Sequence, residues 1–71
     1  MLYRLYAITR VTSQKIEIAE FSDLEFLKRV ADCFTESDSI QKFLVTSVDI
    51  NNNERLIYEN VLEYKGKGKV R

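Results

Sequence analysis

Arg4, Tyr6 and Arg10 are the residues of this chain whose types and spacing most invite chemistry. If residues 2–11 are extended, period-two alternation sets all three on one side of a strand, together with Leu2 and Ile8. A tyrosine between two guanidiniums can stack on a base while the cations meet phosphate, as on the exposed sheets of single-stranded nucleic-acid binders. The same set fits a protein interface, where Tyr and Arg are enriched, or plain packing with polar tips in water. A second basic group, Lys65, Lys67 and Lys69, follows near the end of the chain. The candidate binding residues, for an interface or an anionic ligand, are therefore Arg4, Tyr6, Ile8, Arg10, Lys65, Lys67 and Lys69.

Other motifs fail on spacing. Asp49, Asn51 and Asn53 fill the first, third and fifth positions of a calcium loop, but Glu54 stands where the loop turns on Gly and Asn60 where a bidentate Glu is needed. The stretch reads as a hairpin turn, since Asn tolerates positive φ. "GKGK" (66–69) resembles a phosphate-binding loop, yet Val70 and Arg71 follow where Ser or Thr and then a helix are required. Cys33 has no His anywhere in the chain to act as its base, so it reads as a small packing residue at the margin of an apolar helix face. Of the eleven carboxylates, Glu25, Asp32 and Glu36 fall on the solvent arc of the expected helix and Glu17, Glu59 and Glu63 alternate with apolar residues on strands, which is the pattern of a solvated surface. No catalytic residue, cofactor or metal ligand is expected, and the chain reads as a non-enzyme.

The elements that must position the binding residues are legible in outline. Ser22, with Glu25 three residues on, reads as a capping box, and Phe21 and Phe26 stand where a hydrophobic staple would form. A helix is expected over 23–36. Its wheel separates Leu24, Phe26, Leu27, Val30, Ala31, Cys33 and Phe34 from Glu25, Lys28, Arg29, Asp32 and Glu36. An apolar face about half the circumference wide is broader than a coiled-coil seam and suits a helix on a sheet.

Strands are expected over 2–11, 15–20, 43–50 and 54–64, with polar turns at 12–15 and 51–53. In the last strand Leu56, Tyr58, Asn60, Leu62 and Tyr64 are expected to face the core. Residues 38–43 allow either a helical turn or extended chain, since Ile40, Phe43 and Leu44 have helical spacing. The order ββαββ implies an α+β fold: a four-stranded, mostly antiparallel sheet with one helix packed on one face and the other face left uncovered. That order recurs among unrelated small proteins and carries no function with it.

Length and composition set the bounds. Seventy-one residues make one domain, read as 1–64 followed by a basic, flexible tail over 65–71. A chain this short buries only about 60% of its unfolded surface, and small scaffolds compensate with disulfides, a metal or a partner. One cysteine and no histidine leave the partner. Hydrophobic residues at 45% and charged residues at 31% describe an ordinary globular chain. No apolar run spans a bilayer, and "MLYRLYAITR" lacks a small-residue cleavage site, so no membrane association is expected and the cytoplasm is the expected compartment.

The net charge of zero is unevenly spread: residues 1–63 hold seven cations against eleven acids, and the last eight residues hold four cations and no acid. An acidic body repels polyanions except where its cations cluster. The expected function is a non-enzymatic protein–protein interaction module that self-associates as a homodimer and is regulatory or inhibitory towards a larger partner. The alternative is nucleic-acid or nucleotide binding through the Arg/Tyr sheet face and the basic tail.

Overall fold

The computed structural model describes residues 1–64. Four strands and one helix follow in the order β1 (Leu2–Thr9), β2 (Lys15–Phe21), α1 (Leu24–Ala31), β3 (Ile40–Val48) and β4 (Glu54–Val61). They form one sheet in the order β2-β1-β3-β4, antiparallel at every pairing. This is the ββαββ α+β architecture. Residues 40–43 are extended, which resolves the ambiguity over 38–43 in favour of strand there.

Cross-strand partners share a face of the sheet, so the register sorts the side chains. Leu5 pairs with Val45 and Ala7 with Phe43. These four join Leu27 and Ala31 of α1 and Leu62 in the core, where Leu5, Leu27 and Val45 are fully buried. Each such side chain contributes about 1.5–3 kcal/mol by leaving water. The helix packs chiefly over β1, β3 and β4. An eight-residue helix is only about 12 Å long and 10 Å wide, too small to roof four strands about 4.8 Å apart. Ile16 and Phe21 of β2 therefore keep 40% and 46% of their surface exposed.

The helix is shorter than its sequence pattern at both ends. Asp23, not Ser22, is the N-cap, its carboxylate accepting from the Phe26 backbone N–H at 3.2 Å. A carboxylate suits the positive end of the helix dipole better than a neutral hydroxyl. Phe21 is held in β2 opposite Tyr3 and still stacks on Phe26, with centroids 4.9 Å apart.

At the other end the helix stops at Ala31, not Glu36, because β4 captures it. The Asn60 side-chain amide donates to the carbonyls of Ala31 (2.7 Å) and Phe34 (3.3 Å), and the Tyr58 hydroxyl donates to the Asp32 carboxylate at 2.7 Å. Residues 35–37 then run extended beside Glu63, whose N–H and C=O bond Thr35 and Ser37. Cys33 consequently falls past the helix and is exposed rather than packed in the core.

Three register shifts interrupt the ladders, and the two within edge-strand pairings are bulges that correct the strand alternation. Tyr6 pairs with Glu17 and Leu5 with Ala19, which leaves Ile18 unpaired in β2. Val45 pairs with Tyr58 and Thr46 with Leu56, which leaves Ile57 unpaired in β4. An extra residue reverses the parity of everything beyond it. Tyr58 and Asn60 keep the helix side and Leu62 is buried as expected, but Leu56 turns to the opposite face and is 52% exposed. Both bulges lie on edge strands, where they blunt edge-to-edge pairing.

The turns follow their chemistry. Asp49 accepts from the N–H groups of Asn51 and Asn53, and Asn52 takes φ 67°, so the near-calcium-loop stretch is a hairpin turn. Strand β1 ends at Thr9, earlier than the pattern over 2–11 suggests; Thr9 caps the turn to Gln14, and Val11 stands exposed in it.

Candidate binding face

The side of the sheet away from α1 carries four cross-strand rows. Lys15, Ile8, Lys42 and Val61 form the first; Glu17, Tyr6, Leu44 and Glu59 the second; Glu20, Arg4, Thr46 and Leu56 the third; Leu2, Val48 and Glu54 the fourth. Arg4, Tyr6 and Ile8 thus share this face as their spacing implies.

At its centre is one polar network. Glu54 accepts from the Tyr6 hydroxyl (2.7 Å) and the Thr46 hydroxyl (2.9 Å) on one oxygen and from Arg4 Nη1 (2.6 Å) on the other. Arg4 Nε donates to Glu20 at 3.0 Å, with Glu17 at 4.0 Å, and Nη2 donates to Asn52 at 3.3 Å. The bond from Tyr6, then those from Thr46 and Arg4, hold the Glu54 carboxyl below its ordinary value of 4.5. Burial, then the bond to the Glu54 carboxylate, pushes the Tyr6 phenol up. The bond to Glu20, then those with Tyr6 and Glu54, hold the Arg4 guanidinium in its charged form.

Tyr6 is not an open stacking platform. It is only 8% exposed, and Lys15 Nζ sits 4.3 Å from its ring centroid. Charge and ring attract across that distance. Lys42 is also engaged, at 2.8 Å from Glu59. Apolar surface surrounds the network: Leu56 and Val61 are exposed at 52% and 64%, Leu2 at 37%, and Ile8 and Leu44 are half-buried.

Arg10 does not join this face. It lies beyond the end of β1, and its Nη2 donates to the carbonyls of Ser37, Ile40 and Leu62 at 3.0–3.1 Å while the guanidinium stands 5.2 Å from the Tyr64 ring. Period two over 2–11 required an unbroken strand; the chain leaves the ladder after Thr9, where the pairing with β3 shifts. Arg10 therefore ties together three backbone segments. Lys65, Lys67 and Lys69 lie outside the described residues.

The residues that sequence spacing did not single out are Glu54, Glu20, Thr46 and Lys15. Their only local signal is period-two placement opposite apolar residues, which any solvated strand shows; what makes them a network is the pairing of β1 with β2 and β3, and of β3 with β4.

Among the described residues, an open cleft of about 380 Å³ is lined by Met1, Ser47, Asp49 and Glu54, and another of about 260 Å³ by Phe34, Ile40, Phe43 and Leu62. Among the described residues no group of three His, Cys, Asp or Glu is placed to hold a metal ion, and no helix is long and apolar enough to cross a membrane. Comparison with protein-family models, with curated proteins and with solved structures finds no match to this chain.

Proposed function

We propose that this chain is a small non-enzymatic interaction module that self-associates through the helix-free face of its sheet. The observation that carries the reading is the one-sided architecture. A single short helix covers part of one face, while Leu2, Ile8, Leu44, Leu56 and Val61 ring a self-satisfied polar network on the other. Apolar side chains left exposed on an uncovered sheet face favour burial against a partner, and a homodimer is the simplest closure. Through its remaining surfaces such a dimer regulates or inhibits a larger protein by occupying it, in the cytoplasm, where the exposed thiol of Cys33 stays reduced. Sedimentation equilibrium tests the core of the proposal: a dimer at high micromolar concentration is expected, and a monomer there overturns it.

The alternative, nucleic-acid binding, loses support from the same geometry. Arg4 is held by Glu20 and Glu54, the Tyr6 ring is roofed by Lys15, and Arg10 is spent on backbone carbonyls. An oligonucleotide would have to displace these partners. Fluorescence anisotropy at low salt separates the two readings, with no binding expected; tight, steeply salt-dependent binding would restore the nucleic-acid reading.

A further inference from the structure

The cleft of about 260 Å³ combines apolar walls with an acidic rim. Phe34, Ile40, Phe43 and Leu62 line it, and Phe34, stacked on Phe43 at 6.0 Å, keeps 55% of its surface exposed. Glu36 lines it as well. The isolated parallel bridge between Glu36 and Glu63 sets these two residues side by side, and like charges so placed repel. Among the described residues no Lys or Arg forms an ion pair with either. The site therefore calls for an apolar side chain and a cation together.

The described residues end at this rim. Leu62 lines the cleft. Two residues on, the Tyr64 ring stands 5.2 Å from the Arg10 guanidinium, which donates to the carbonyls of Ser37, Ile40 and Leu62. Tyr64 is thus tied to the backbone of three lining residues. Beyond it, residues 65–71 read KGKGKVR, with three lysines, one arginine, no acid and a single apolar residue, Val70. At about 3.3–3.6 Å per residue, Val70 can reach roughly 20 Å from Tyr64. The cleft is nearer than that, and Gly66 and Gly68 permit the chain to reverse towards it.

We infer that residues 65–71 fold back as a strap over this cleft, with Val70 seated against Phe34 and Ile40 and the lysines beside Glu36 and Glu63. Two arguments select this occupant: complementary charge and the place where the segment is attached. A short flexible tether gives an effective concentration of about millimolar order, so a contact too weak to hold a free peptide is populated here. The strap is reversible, because ion pairs at a surface are weak and screened by salt. It shields Phe34 until a partner segment with a larger apolar anchor displaces it. The cleft lies on the helix side of the sheet, where Phe43 joins the core, so the inference stands apart from self-association through the other face.

Nuclear magnetic resonance of the full chain tests the strap. At low salt, nuclear Overhauser effects are expected from the Val70 methyl groups to the Phe34 ring. Val70→Ser should abolish them and shift the Phe34, Ile40 and Leu62 signals, while those of Leu5 and Val48 stay in place. Glu36→Gln keeps the shape and removes the charge; it should weaken the contacts several-fold, as raised salt does in the wild type. Absence of Val70–Phe34 contacts at low salt, with cleft signals unmoved by Val70→Ser, overturns the strap. Contacts that survive isotope filtering in a mixture of labelled and unlabelled chains put the segment in the cleft of a second copy and overturn the intramolecular form. A chain that sediments as a monomer yet shows the contacts supports the strap and overturns only the self-association reading.

Discussion

The two faces of this sheet are held by different physics. On the helix side, Leu5, Leu27 and Val45 are shut away from water and the attraction is non-directional. On the other side the buried residues are Tyr6, Thr46 and Val48, and what covers the first two is not an element but their own neighbours: Lys15 over a ring, Glu54 bridging two hydroxyls and a guanidinium. The contrast teaches how a domain with one short helix handles a second sheet face. It lays long charged side chains across the middle, and leaves apolar residues at the rim.

The comparison breaks most visibly at the core. Leu27→Ala removes the fully buried helix anchor and should cost about 2–5 kcal/mol, enough to leave a small domain largely unfolded; urea denaturation followed by circular dichroism measures it, and a loss under about 1 kcal/mol would show that the helix side is not the dominant core. Next is Arg10→Ala, which strips the shared donor from three backbone carbonyls at the sheet end. A loss of about 2–3 kcal/mol is expected, since bonds from a charged donor are worth more than neutral ones. Arg10→Lys should recover only part of it, because an ammonium on a flexible stem does not reproduce the guanidinium's planar fork.

On the open face, Glu54→Gln should cost only about 1 kcal/mol, since the site is partly exposed and screened. Its signature is pH. The Glu54 carboxyl titrates lower in the folded protein than its ordinary 4.5, so its contribution is complete above that value and is lost as pH falls through the depressed one. Wild type should therefore lose more stability than Glu54→Gln between neutral pH and strongly acidic pH. Parallel acid-denaturation profiles for the two proteins would mean that the network does not stabilise the open face. The smallest effect sharpens the helix start: Asp23→Ala should cost about 1 kcal/mol as loss of an N-cap, and Ser22→Ala under about 0.5 kcal/mol. The reverse order would return the cap to Ser22.

Much of the fold was legible because short-range signals are strong where periodicity meets punctuation. The Phe21–Phe26 staple, the alternation in β1 and the asparagine turn each rest on residues within a few positions of one another. The errors also have a common cause. Strict alternation puts Leu56 on the core face because it cannot reveal that Ile57 is an extra residue. The apolar wheel positions of Cys33 and Phe34 favour a longer helix, whereas Asn60 and Tyr58, nearly thirty residues away, end it. Of the candidate site, Arg4, Tyr6 and Ile8 share a face as their spacing required, but Arg10 does not.

Sequence alone determined what local chemistry controls: the ββαββ order, the helix near Leu24, the turn at 49–53 and the absence of any histidine or second cysteine with which to staple the domain. Only the tertiary structure decided which charges are already engaged. Arg4 and Glu54 are fifty residues apart, and β3 brings them together by pairing with β1 on one side and β4 on the other. Whether a guanidinium is an open anion site or half of an ion pair depends on that distance, because the strength of the interaction falls with separation in space and is indifferent to separation along the chain.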